Sequence, residues 1–358
     1  MFTLKIILKI IQVIMKKYIV LFTLILCFLS AVKAQTKEQP FTVKTLSGQS
    51  INSAKINASG GSIFVTGVDD SQARLEVFVT PNNNEDLSKD EIQKRLDEYY
   101  TLDISVNNNQ LIASVKQKQT INMNWKKSVN ISFKAYLPVH VNTDLETSGG
   151  SISISNVNGT EEFTTSGGSI SVDNVTGKMK GRGSGGSILV QNSSNSMDLV
   201  TSGGSIQAKK CTGDIKLKTS GGSLDLDELD GTINAETSGG SIDADNMKGD
   251  VVTHTSGGSI RLRDLYCSVD ASTSGGGIEV AMNESTKSVK LRNSGGNVSL
   301  QLPANKGFDL DLAASKINME LKNFSGSVED KSIEGKLNGG GTLIDAHTNS
   351  GRINVSFN

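Results

Sequence analysis

The chain has 358 residues, with 37 glycines, 4 prolines, 5% aromatic and 36% hydrophobic residues. So little proline excludes collagen and proline-rich linkers, and a charged fraction of only 20% excludes a charge-swollen disordered chain. Few large side chains argue against a thick-cored globule and for a thin, glycine-punctuated β architecture.

The formal charge of −1 hides an asymmetry. Residues 1–34 hold five lysines and no acid, so the remainder carries 31 basic against 37 acidic residues. With no basic face or run, nucleic acid and anionic membrane are not expected partners. Residues 1–34 read as a signal peptide starting at Met15: basic Met15-Lys16-Lys17, apolar Ile19–Ser30, then Val32-Lys33-Ala34 before Gln35. The apolar run Ile19–Val32 falls short of the roughly 20 residues of a membrane span. An exported protein with no transmembrane span after cleavage is expected. Cys27 leaves with the leader, and Cys211 and Cys267 sit about three coils apart, roughly 14 Å at ordinary strand spacing. That is too far for a disulfide, so both should be free thiols.

Residues 35–146 are expected to hold the first coils and an N-terminal cap. Ala54, Ile56, Ala58, Ser59-Gly60-Gly61, Ile63, Val65 and Val68 fit a coil template, and residues 71–138 form an excursion from it. The excursion alternates apolar residues at Leu75–Val79, Leu102–Val106, Leu111–Val115 and Val129–Leu137. It also contains one helix from Lys89 to about Tyr99, opened by the capping box Ser88-Lys89-Asp90-Glu91. A cap is needed because an open coil end is an exposed sheet edge.

Residues 147–296 carry the decisive signal. Ser-Gly-Gly begins at Ser148, Ser166, Ser184, Ser202, Ser220, Ser238, Ser256 and Ser274, always 18 residues apart, and again at Ser294 after 20. Numbered from that serine, positions 5 and 7 are apolar (Ile152/Ile154 through Ile278/Val280), position 10 usually is, and positions 14, 16 and 18 alternate again. Each unit is therefore read as two short strands and two turns. The fold class is all-β, a parallel β-helix or β-solenoid with 18-residue coils stacked about 4.8 Å apart. About six side chains per coil should point inward. The paired glycines are expected to supply backbone angles other residues avoid, and the position-18 threonines to bond one another in a column. Residues 297–358 read as irregular coils and a C-terminal cap, with Ile344, Ala346, Thr348, Gly351, Ile353 and Val355 back on the template.

Catalytic motifs are absent from the sequence. His140, His254 and His347 lie far apart with no neighbouring cysteine, which argues against zinc; no nucleophile elbow or phosphate loop occurs, and no cofactor is expected. Outward positions 6 and 8 read Gln207/Lys209, Asp225/Asp227, Asp243/Asp245 and Arg261/Arg263 down the stack. The acids should pair across rungs with Lys209, Arg261 and Arg263. Asp225, Asp227, Asp243 and Asp245 are the one weak calcium candidate; flanking cations and the missing GGxGxD repeat argue against it.

The run Val129-Asn130-Ile131-Ser132-Phe133 through Leu137-Pro138-Val139 and Leu145-Glu146-Thr147-Ser148-Gly149-Gly150, followed by repeated TSGGSI units, resembles the bacterial putative-adhesin domain family of unknown function. The resemblance covers roughly 41–358. It implies a right-handed β-helix, export to the envelope and no catalytic residues. No barrel-sized segment follows the repeats, so an autotransporter is not implied. The expected function is a secreted or envelope adhesive surface meeting glycan, matrix or an envelope protein. A carbohydrate-active enzyme and a periplasmic partner-binding or envelope-stress module are the alternatives.

Overall fold

The computed structural model describes residues 39–82, 87–118 and 127–358. The chain divides into Met1–Gln39 and Pro40–Asn358, and all the strands described here belong to the second unit. The expected signal peptide and Cys27 lie outside the described residues.

The N-terminal strands are β1 (Thr42–Thr45), β2 (Ser53–Ala58), β3 (Ile63–Val68) and β4 (Arg74–Pro81); helix α1 (Lys89–Tyr99) leads to β5 (Tyr100–Asn107), β6 (Gln110–Gln117), β7 (Val129–Pro138), β8 (Asn142–Thr147) and β9 (Ile152–Ser155). The helix begins where the capping pattern places it: Ser88 accepts from the Glu91 N–H, and Leu96 and Tyr99 turn inward. Strands β2 and β3 form the first coil in sequence, yet they are not the end of the stack. Strand β2 lies parallel between β6 and β8, and β3 parallel between β7 and β9. The excursion thus places a further coil outside the first one, and antiparallel β4 and β5 cover it, with β1 beyond β4.

The regular coils contain β10 (Asn158–Thr165), β11 (Ile170–Asp173), β12 (Thr176–Gly183), β13 (Ile188–Gln191), β14 (Ser194–Thr201), β15 (Ile206–Thr219), β16 (Leu224–Thr237), β17 (Ile242–Thr255), β18 (Ile260–Thr273) and β19 (Ile278–Met282). Among β10–β18 every partner is 18 residues away in parallel register, as in Ile206↔Leu224 and Leu224↔Ile242; the steps from β18 to β20 and from β19 to β21 are 20. In the coil from Ile206 the inward residues are Ile206, Ala208, Cys211, Ile215, Leu217 and Thr219, all buried, which matches the six positions expected.

Three local features differ from expectation. From β15 to β18 the two strands of a coil run on as one 14-residue strand. The bend between them is carried by position 9, which is left-handed in the seven units that begin at Ser148 through Ser256: Asn156, Asn174, Asn192, Lys210, Glu228, Asn246 and Asp264 have φ between 50° and 57°. Asparagine tolerates this region best, so an asparagine every 18 residues was its signal. Second, the later glycine of each Ser-Gly-Gly is required for close approach rather than for an unusual angle. A Cβ on Gly240 would stand 2.1 Å from the Gly222 carbonyl oxygen, whereas one on Gly239 would find its nearest neighbour at 3.5 Å. Third, the position-18 threonines bond backbone and not one another. Thr219 donates to Gly204 O at 2.7 Å and Thr237 to Gly222 O at 2.7 Å, and the Gly222 and Gly240 amides donate back to the same hydroxyls. Asn293 stands in for threonine, donating to Gly276 O and accepting from Gly296 N, both at 2.9 Å.

The C-terminal strands are β20 (Ser288–Asn293), β21 (Val298–Leu302), β22 (Phe308–Ala313), β23 (Lys316–Asn318), β24 (Phe324–Val328), β25 (Ser332–Leu337), β26 (Thr342–Thr348) and β27 (Arg352–Phe357). The two extra residues before Ser294 form a turn at Asn283–Thr286, pinned by Thr286 Oγ1 to Leu265 O at 3.0 Å. The last coil in sequence, β26–β27, is inserted between β20–β21 and β22–β23. Antiparallel β25 and β24 then cover β22. Both ends are built alike: the terminal coil of the sequence is buried one rung in.

Candidate functional site

The four aspartates stand where the repeat places them, on the outward face of β16 and β17, Asp225 beside Asp243 and Asp227 beside Asp245. Each has a partner. Arg261 reaches Asp243 at 2.8 Å and Glu279 at 3.3 Å; Arg263 makes two bonds of 2.8 Å to Asp245. Lys209 lies 2.8 Å from Asp227, which also accepts from Asn246 at 3.2 Å. The Lys209 contact, with Asn246 next, holds the Asp227 carboxyl below its ordinary range. Asp225, for which the sequence offered no cation, accepts from Gln207 at 2.8 Å. These ion pairs are exposed and contribute little individually. The arrangement is a charge-compensated ladder over a shallow depression of about 310 Å³ lined by Gln207, Lys209, Asp225, Asp227 and Asp245.

A larger, open trough runs along the bend corner. Positions 9 and 11 splay outward on either side of inward position 10, so the trough is lined by Lys210, Thr212, Glu228, Asp230, Asn246, Lys248 and Tyr266, with a volume of about 960 Å³. Its charges are mixed in sign, Lys210 lying 3.9 Å from Glu228. At one end Tyr266 is 45% exposed, an unusual aromatic surface on a chain so poor in aromatics.

Two further constellations escape a linear reading. Asp311 on β22 and Asp345 and His347 on β26 converge because the inserted last coil brings these strands side by side. His347 Nε2 is 3.1 Å from Asp311 and 3.3 Å from Asp345. Arg292 clamps Asp345 through two bonds of 2.7 and 2.6 Å and holds its carboxyl below the ordinary range. The second is Glu161, fully buried at position 14, in the column that holds Met179, Met197, Ile215 and Ile233 in later coils. Thr143 on the preceding rung donates to Oε2, and Oε1 has no partner. Burial raises its carboxyl from 4.5 to about 7, against the smaller opposing effect of the Thr143 bonds. Cys211 and Cys267 are buried free thiols, and burial raises the Cys267 thiol to about 12. No helix among the described residues is long and apolar enough to cross a membrane.

The fold and its faces define a β-solenoid with inserted end coils and a polar, charge-paired exterior. Residues 212–356 match the family Toastrack DUF4097, a domain family of unknown function, in keeping with the resemblance seen in the repeats. Two solved structures align with the chain. One, described as a putative cell adhesion protein from Clostridium sporogenes ATCC 15579, is 10% identical and covers 88% of this chain and 98% of its own, with a TM-score of 0.19. The other, a putative adhesin from Bacteroides fragilis NCTC 9343, is 14% identical and covers 88% and 96%, with a TM-score of 0.22. At such scores neither likeness bears on the functional reading. No curated protein matches the sequence.

Proposed function

We propose that the protein is an exported, non-enzymatic binding module of the cell envelope that holds glycan by its polar coil faces, in the manner of an adhesin. The observation that carries this reading is the bend-corner trough. Its hydroxyl, amide and charged groups recur at the rung spacing, and the exposed Tyr266 ring offers the apolar face that an otherwise polar ligand needs. The trough is open along its length, and the main stack has seven uninterrupted 18-residue intervals with no loops to enclose a reactant. The predicted leader peptide supports export.

A glycan array probed with the purified protein, paired with a reducing-end release assay, tests the reading. Binding that Tyr266→Ala abolishes, with the circular dichroism spectrum unchanged, is the expected result. Release of new sugar ends would favour a carbohydrate-active enzyme. Silence on every glycan would point to a protein partner, as for an envelope-stress module.

A further inference from the structure

The four strands that end the stack are not equally guarded. At the N-terminal end, Lys44 of β1 crosses to donate to Ile104 O of β5 at 2.9 Å, setting a charge between the two end strands, and α1 packs against β5. At the other end β23 is only three residues long. Strand β24 differs: it has five residues, Phe-Ser-Gly-Ser-Val, with no charge, and all but Phe324 are exposed. Val328, at 56%, is the most exposed large hydrophobic residue among those described. Natural edges of this length ordinarily carry a lysine, a proline or a cover.

The ladder phase shows what β24 offers. Asn338 N donates to Asn323 O and Glu329 N to Ser332 O, so the odd-numbered residues of β24 bond to β25. The N–H and C=O groups of Phe324, Gly326 and Val328 therefore point away from the sheet. We infer that this edge pairs with the same edge of a second copy, antiparallel, about a two-fold axis at Gly326. In that register each outward group of β24 meets one from its mate. Phe324 faces Val328 of the second copy, Ser325 faces Ser327, and beyond the strand Lys322 faces Asp330. A shift of two residues in one direction sets Glu320 against Asp330; in the other it sets Phe324 against Asp330. The centred register alone matches both apolar and charged neighbours. It also extends the inner face formed by Ile333 and Leu337 and shields Ile317, Met319, Leu321 and Phe324, which the stack leaves partly exposed. This inference is independent of any glycan.

Sedimentation velocity of the purified protein over a concentration series is the test. A monomer–dimer equilibrium is expected, weak because one strand pair makes a small interface. Val328→Lys should weaken it about tenfold or more, since the ammonium would be set against Phe324 of the second copy. Lys322→Asp should weaken it several-fold, and adding Asp330→Lys should restore it. All three positions are on the surface, so circular dichroism should report unchanged folding. The double variant Ser325→Cys/Ser327→Cys should give a covalent dimer on oxidation, because those positions face each other across the non-hydrogen-bonded sites. A protein that stays monomeric at all concentrations, or a dimer indifferent to Val328→Lys and to the charge reversal, would overturn the inference.

Discussion

Thr143 donates its hydroxyl hydrogen to Glu161 inside the stack, one rung apart in a column that is aliphatic in most other coils. The pair occupies fully buried space, and one oxygen of the carboxyl has no partner. A charged carboxylate there is costly, and protonation is the inexpensive remedy.

Stability should therefore depend on pH through this residue. The Glu161 carboxyl lies at about 7 in the fold against 4.5 ordinarily, so the folded state holds a proton that the unfolded state has lost between those values. Its contribution is fully present below about 4.5 and falls as pH rises through about 7, a loss of about 3 kcal/mol at 1.36 kcal/mol per pH unit. Above that window the effect is flat. Urea unfolding from acid to alkaline pH should show this fall in the wild type and not in Glu161→Gln. Parallel profiles for the two proteins would refute the assignment.

The two glycines of each Ser-Gly-Gly turn should respond very unequally to a methyl group. Gly240→Ala sets Cβ against the Gly222 carbonyl, and backbone must move on two rungs, a cost of about 3 kcal/mol. Gly239→Ala has ordinary contact distances and should stay within about 1 kcal/mol of wild type. Equal thermal shifts in the two variants would mean that rung approach does not determine glycine at this position.

The coil length, the inward positions and α1 were legible because each depends on spacing within one unit or on a local cap. Glu161 was legible as a residue but not as an anomaly: its column is defined only once Thr143, Glu161 and Met179 are aligned in register. The Asp311–Asp345–His347 group was hidden for a topological reason. Its strands become neighbours when β26 slips between β20 and β22, an order reversal that no periodicity encodes. The threonine column is legible in the sequence but its bonding is not, because the carbonyl that each hydroxyl reaches belongs to a turn 15 residues earlier.

That bonding makes threonine at position 18 a turn clamp. Thr237→Val keeps the shape but orphans the Gly222 carbonyl and the Gly240 amide, and should cost about 1–3 kcal/mol. Thr237→Ser keeps the hydroxyl and should recover most of it. Chemical denaturation of the three proteins ranks them; valine matching wild type would return the column to a packing role.

The aspartate ladder should not take up calcium. The ion wants six to eight oxygen ligands, and Asp225, Asp227, Asp243 and Asp245 are engaged by Gln207, Lys209, Asn246, Arg261 and Arg263 on a rigid sheet face. Calcium would have to displace cations that remain tethered one rung away. Titration calorimetry should give no binding heat for the wild type or for Asp225→Asn/Asp243→Asn, and calcium should leave the melting temperature unchanged. The double substitution removes two like charges on adjacent strands at the expense of the Arg261–Asp243 pair, so its net effect should be within about 1 kcal/mol. A saturable heat in the wild type that the double variant lacks would make the ladder a cation site after all.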